Sequence, residues 1–244
     1  MSAKRDALAF VHTAQAHVPT FDRLVREIAP GLRVRHMVRE DLLADARVVG
    51  VDDEALVSRV HHAMREAGAG GASVVVCTCS TIGGVAESTP AGDAFKALRI
   101  DRAMADRAVR AGPRVLIVAA VESTLAPTTA LVRSAAKDAG VDVRISELLV
   151  GEAWPHFESG DLARYVATLA QAIRANTAAA DVVVLAQASM TPVEAALADL
   201  GIEVLSSPAP GVRLAVQAAS QAGTKPDIYS PIHSFPDFYQ CRIE

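Results

Sequence analysis

Two thiols one residue apart, Cys77 and Cys79, close an apolar run that opens at Val74. Cys79 is followed at once by Ser80, Thr81 and the pair Gly83-Gly84. A thiolate is a base, a nucleophile and, once protonated, an acid, and it works best where hydroxyls and free N–H groups surround it. The β-branched run Val74-Val75-Val76 suits a buried parallel strand, and open α/β sheets place their ligand crevices beyond the carboxyl ends of such strands. Cys79 is therefore expected at a crevice, and Cys77, earlier in the apolar run, in the core. A helix starting after Cys79 would aim its unpaired N–H groups and positive dipole end at a thiolate or a substrate carboxylate. The chemistry this predicts is proton transfer or covalent attack on a small carboxylic acid.

Other polar residues fall at comparable strand ends. His12 and Thr13 end the run from Ala7, and Ser123 and Thr124 follow the apolar stretch Val115 to Val121. Ser189 follows a second run from Val182. The hydroxyls of Thr13, Ser80, Thr81, Ser123, Thr124 and Ser189 are candidate carboxylate contacts, and those of Ser123 and Thr124 equally suit helix capping. His12 has two readings, a substrate-orienting or proton-assisting group and a structural histidine bonded to backbone. Trp154-Pro155-His156-Phe157 holds the only tryptophan. It reads first as a surface anchor or dimer contact, with a lid or substrate wall as the alternative. Glu122 and Glu152 read as solvated. His61-His62 lies on a predicted helix, where neighbours diverge, and no histidine spacing matches a metal site, so no metal is expected.

These candidates are positioned by alternating elements. Strands are predicted at 7–12, 33–38, 73–78, 114–120, 141–145, 182–186 and 202–205. Helices are predicted at 20–29, 54–67, 101–111, 125–138, 161–175, 192–199 and 209–221. Repeated βα units imply an α/β fold with mainly parallel sheets. Val74 to Thr81 and Val182 to Thr191 echo each other, each a strand ending in small polar residues, which suggests a duplicated, two-lobed chain. Gly68-Ala69-Gly70-Gly71 follows a helix and precedes a strand, the wrong order for a dinucleotide fingerprint, and reads as a C-cap and turn. The stretch Lys225 to Pro236 has three prolines and is not expected to be helical.

At 244 residues and 51% hydrophobic the chain can bury a large core, and with 4% aromatic residues Ala and Val must fill much of it. The net charge of −4, with basic residues interspersed among acids, gives no support to nucleic-acid binding. The N-terminal apolar stretch is too short for a signal or a membrane span, so a cytoplasmic protein without membrane contact is expected. Three cysteines, two of them at i and i+2, point to reduced thiols; Cys241 reads as incidental.

Taken together the segments resemble the aspartate/glutamate racemase superfamily of cofactor-independent enzymes, which includes hydantoin racemases, maleate isomerases and arylmalonate decarboxylase. The resemblance rests on Val11-His12-Thr13, Cys79-Ser80-Thr81, Leu98-Arg99-Ile100-Asp101, Glu122 through Thr128 and Leu185-Ala186-Gln187-Ala188-Ser189-Met190, and covers residues 7 to 220. It implies two similar α/β lobes about a pseudo-two-fold axis with the site between them. The lobes would be 1–103 plus 212–244, and 104–211. It also implies no cofactor, a small carboxylate or amino-acid-like substrate and a homodimer. In racemases of this kind a cysteine from each lobe flanks the α-carbon, and here the second position is Gln187. Glutamine exchanges no proton at neutral pH but can donate a hydrogen bond to a carboxylate or enediolate oxygen. The resemblance thus implies a single catalytic cysteine, Cys79, with Gln187, Ala188 and Ser189 as substrate contacts. One thiol also suits decarboxylation, so a carbon–carbon lyase is the alternative, and a catalytically silent carboxylate-binding protein is another.

Overall fold

A computed structural model describes residues 7–222. The tail segment Lys225 to Pro236, Cys241 and the first six residues lie outside the described residues. The first half contains strands β1 (Leu8–His12), β2 (Val34–Val38), β3 (Val74–Cys77) and β4 (Lys96–Arg99), with helices α1 (Val18–Ile28), α2 (Glu40–Val49), α3 (Glu54–Ala69) and α4 (Ser80–Glu87). The remainder contains α5 (Arg102–Ala111), β5 (Arg114–Ala119), α6 (Leu125–Ala139), β6 (Arg144–Leu149), α7 (Trp154–Glu158), α8 (Leu162–Asn176), β7 (Val182–Leu185), α9 (Val193–Ala196), β8 (Glu203–Leu205) and α10 (Pro208–Ala222).

The strands form two four-stranded sheets, ordered β2-β1-β3-β4 and β6-β5-β7-β8, and every pairing is parallel. The second order repeats the first with each strand number raised by four. This is the α/β two-lobed architecture the alternation predicts.

Side-chain alternation puts one face of each central strand on each neighbouring helix layer. In the first sheet Leu8, Phe10, Val74 and Val76 meet Phe21, Leu24 and Val25 of α1 and Val212, Ala215 and Ala219 of α10. Ala9, Val11, Val75 and Cys77 meet α2, α3 and α4 through Leu42, Leu56, Met64 and Ile82. The second sheet is covered in the same way, by α5 and α6 on one side and α8 and α9 on the other. Each fully buried Leu, Val, Ile or Phe contributes roughly 1.5–3 kcal/mol relative to an exposed one. The small Ala and Val side chains let helices sit close to the strands.

The structure departs from the sequence expectation at several elements; α7 goes unread, and the helix expected at 192–199 is only Val193–Ala196. β4 goes unread because Lys96-Ala97-Leu98-Arg99 has charges at both ends and only two buried residues. α2 goes unread because it is short and carries four charged residues in ten. The strand expected at 141–145 runs instead over β6, an edge strand with no buried residue, after α6 is capped by Gly140 in the left-handed region (φ +67°). Gly70 and Gly71 end α3 as the turn reading requires. Among the described residues no helix is long and apolar enough to cross a membrane.

Candidate active site

A cavity of about 380 Å³ opens at the carboxyl ends of the central strands of both sheets. β3 delivers Thr78 and Cys79 to it, and β1 delivers Thr13 and Ala14. Val121 and Thr124 follow β5, and Ala186, Gln187, Ala188 and Ser189 follow β7. Cys79 is half-buried, in extended conformation (φ −102°, ψ 117°), and is the N-cap residue of α4. The first N–H groups of that helix have no intrahelical partner, and the Cys79 side chain makes no hydrogen bond to them. Cys77, one strand turn earlier, is fully buried, and burial pushes its thiol pKa far up, so it stays protonated and inert.

The two hydroxyls after Cys79 have different tasks. Ser80 is tied into a buried ion pair: Arg99 donates from Nε to Asp101 Oδ1 at 2.6 Å and from a terminal nitrogen to Oδ2 at 2.9 Å. Burial acts to raise the Asp101 pKa, but the guanidinium and the Ser80 hydroxyl outweigh it and hold the carboxyl below the usual range. Arg99 also reaches the Ser80 carbonyl at 3.4 Å. Thr81 makes no such bond, and its buried hydroxyl has no partner while lining the cavity. The glycines after it are helical residues making room for this ion pair, since a Cβ on Gly83 would lie 3.1 Å from the Arg99 Nε.

On the opposite wall Gln187 is 9% exposed, and its Oε1 accepts from the backbone N–H groups of Ala120 at 2.6 Å and Val121 at 3.1 Å. With the oxygen so engaged, the amide hydrogens are what Gln187 offers a ligand. Ser189 lines the cavity and shares a 3.0 Å hydrogen bond with Tyr165, whose pKa burial pushes up to about 12. The Thr124 hydroxyl donates to the Val121 carbonyl at 2.7 Å, and although Thr124 is the N-cap residue of α6 its side chain makes no capping hydrogen bond.

Of the residues singled out from sequence, Cys79, Thr13, Ser80, Thr81, Thr124, Gln187, Ala188 and Ser189 meet around this one cavity. Ser123 and His12 do not line it. The Ser123 hydroxyl is buried without a partner beside the wall, and His12 is fully buried behind it, bonded to Thr78 and His36. The substrate-wall alternative for the tryptophan segment fits the structure: Trp154 and Phe157 of α7 line the cavity, stacked with ring centroids 5.0 Å apart, and the indole N–H donates to Glu158 at 2.7 Å.

Sequence reasoning missed one whole wall. Glu40, Leu43, Ala44 and Arg47 of α2 face the cavity at the i, i+3, i+4, i+7 spacing of a single helix face, the signal by which they could have been found. His17 also lines it, and burial lowers its pKa, keeping the ring neutral at pH 7. Cys79, His17, Glu40 and Glu158 are thus the wall groups able to exchange a proton. Among the described residues no group of three or more His, Cys, Asp or Glu is placed to hold a metal ion.

The sequence profile of the Asp/Glu/hydantoin racemase family matches residues 11–215. The comparison with curated proteins gives no match. Among solved structures, the chain is similar to the glutamate racemase of Francisella tularensis in complex with D-glutamate, with a TM-score of 0.67, 12% identity, and coverage of 91% of this chain and 83% of that one. It is similar to the Picrophilus torridus aspartate racemase, with a TM-score of 0.64, 12% identity and coverage of 87% and 94%. A glycine-to-cysteine variant of arylmalonate decarboxylase in its sulfate-associated form gives a TM-score of 0.55, 19% identity and coverage of 87% and 93%. At these identities the likeness carries the fold.

Proposed function

The chain belongs to the Asp/Glu/hydantoin racemase family, and from that premise we propose that it is an enzyme acting at the carbon next to the carboxylate of a small acid, with Cys79 as its only catalytic thiol and no cofactor. The observation that carries this is the placement of Cys79 at the start of α4, in the cavity wall across from Gln187.

In this reading the substrate carboxylate is held by the N–H groups opening α4 and by the otherwise unpartnered Thr81 hydroxyl. The Cys79 thiolate takes the α-proton, leaving the electron pair on an enediolate, and the amide hydrogens of Gln187 stabilise the oxyanion. A proton then returns to the same carbon. Returned by Cys79 it gives one-faced exchange; returned to the opposite face by a second, protonated group it inverts the centre. The lobe division 1–103 plus 212–244 against 104–211, and a homodimeric assembly, belong to the same reading. For the first of these, α10 packs on α1 and on the first sheet.

A carbon–carbon lyase is the second reading, favoured by a specific observation: the second wall position is a glutamine, and Trp154 and Phe157 offer room for an apolar substituent. In that case carbon dioxide leaves, the same enediolate forms, and Cys79 protonates it.

Incubation with α-substituted carboxylic acids and substituted malonates in deuterium oxide tests both. Solvent deuterium at the α-carbon with scrambled stereochemistry supports isomerisation, and carbon dioxide release supports the lyase. If neither appears across the panel while a carboxylate still raises the melting temperature, the protein is a binding module and the catalytic proposal fails.

A further inference from the structure

Behind the cavity wall lies a buried run of hydrogen-bonding groups that this chemistry does not use. His12 Nδ1 is 2.9 Å from the Thr78 hydroxyl, and His12 Nε2 is 2.9 Å from His36 Nδ1 on the neighbouring strand β2. The two imidazoles lie nearly parallel, centroids 5.2 Å apart, against the rings of Phe10 and Phe21. His36 Nε2 makes no hydrogen bond and lies 3.9 Å from Asp22 Oδ1 on α1. Thr78 stands in the wall immediately before Cys79. The run thus spans from the α1–β2 surface to the cavity.

A hydrogen between each pair of atoms permits two orders. In one, Thr78 donates to His12 Nδ1, His12 Nε2–H donates to His36 Nδ1, and His36 Nε2–H faces Asp22. Thr78 can then only accept from a ligand. In the other, His36 Nδ1–H donates to His12 Nε2 and His12 Nδ1–H donates to Thr78, so the Thr78 hydrogen is released toward the Val11 carbonyl, 3.4 Å away, or toward a bound anion. When both rings are neutral, the first order places an N–H rather than a lone pair against the Asp22 carboxylate. An imidazolium at His36 carries hydrogens on both nitrogens and therefore enforces the second.

We propose that Asp22, His36, His12 and Thr78 form a proton-sharing chain in which one added proton turns Thr78 from acceptor to donor at the cavity wall. The proton enters at Thr78 from the cavity side, passes to His12 Nδ1 as His12 Nε2 releases its hydrogen to His36 Nδ1, and rests as the His36 imidazolium beside Asp22. These are positioning residues, and the chain stands whether or not Cys79 turns over a substrate. Burial disfavours the charge on His36 and Asp22 opposes that effect. Arg35 and Glu66 lie around the same surface hollow as His36, with the Arg35 guanidinium bonded to the Glu66 and Ala67 carbonyls. Asp22 is shared with Arg26. On the cavity side His17 faces His12, and its charge would oppose a proton there. A carboxylate that needs a donor at Thr78 and a proton at His36 therefore favour each other.

Nitrogen-15 spectroscopy of histidine-labelled full-length protein tests this without any ligand. At neutral pH His12 is expected as the Nε2–H tautomer. On acidification its hydrogen should move to Nδ1 with the same midpoint as His36 protonation. Asp22→Asn should lower that midpoint for both rings together. A His12 ring that keeps one tautomer throughout the His36 titration, or down to acid unfolding, overturns the proposal, as does a midpoint unmoved by Asp22→Asn.

Discussion

The Gln187 side-chain oxygen sits 2.6 Å from the Ala120 main-chain nitrogen, which locks the loop after β7 to the end of β5 and leaves the amide hydrogens as the ligand-facing groups. Gln187→Glu keeps an acceptor for both backbone donors but replaces those hydrogens with a charge. It should fold as the parent does and lower kcat by roughly 10²–10³, the usual effect of losing an oxyanion donor. Steady-state kinetics on a substrate found by the deuterium panel checks this, and an unchanged kcat removes Gln187 from the mechanism.

The two neighbouring cysteines should behave oppositely. Iodoacetamide followed by peptide mapping should find Cys79 modified and Cys77 untouched, because Cys77 is buried with its pKa raised by that burial. Modification at both sites with equal rates would contradict the assigned environments.

Removing Asp101 should be the most damaging single change near the site. Asp101 is fully buried and Arg99 nearly so, and Asp101→Ala leaves the guanidinium uncompensated, a loss of about 3–5 kcal/mol. Denaturant unfolding gives the number. Arg99→Met with Asp101→Ala, which removes both charges, should recover part of it, and no recovery would mean that the pair acts other than through its charges.

Stability should fall on the acid side because His12 is held neutral. Burial, with help from His36 and His17, lowers its pKa from 6.5 to about 3. Above 6.5 neither the folded nor the unfolded state binds the proton, so His12 contributes nothing to the pH dependence. Below 6.5 the unfolded chain takes up the proton while the folded state does not. The loss approaches about 1.4 kcal/mol per pH unit and levels off near the folded value. A melting profile of His12→Asn should be flatter than the parent over this window, whatever its absolute stability. An equally steep profile would show that His12 is not the group responsible.

The central strands and the cysteine loop are legible because Leu8 to Val11, Val74–Cys77 and Val182–Leu185 are uninterrupted apolar runs of the kind a doubly covered sheet accepts. β6 and β4 were harder to place because an edge strand buries little and so carries little hydrophobic signal. The α2 wall was lost for a related reason: Glu40 and Arg47 read as solvated charges unless the 40, 43, 44, 47 spacing is taken together with Leu43 and Ala44. His12 could be read as structural or functional from sequence, and only the contact with His36, 24 residues away, shows what holds it. The Gly83-Gly84 pair is helix surface fitted to a buried guanidinium, a tertiary contact that local patterning does not encode.

In the proposed reaction the Cys79 sulfur carries a proton to or from the carbon beside a carboxylate. The direct measurement is the rate of deuterium exchange at that carbon in deuterium oxide, parent against Cys79→Ala, with circular dichroism and melting temperature confirming that both are folded. Exchange by the parent and a loss of at least two orders of magnitude in the variant are expected. A folded variant that exchanges at the parental rate would contradict this role of Cys79.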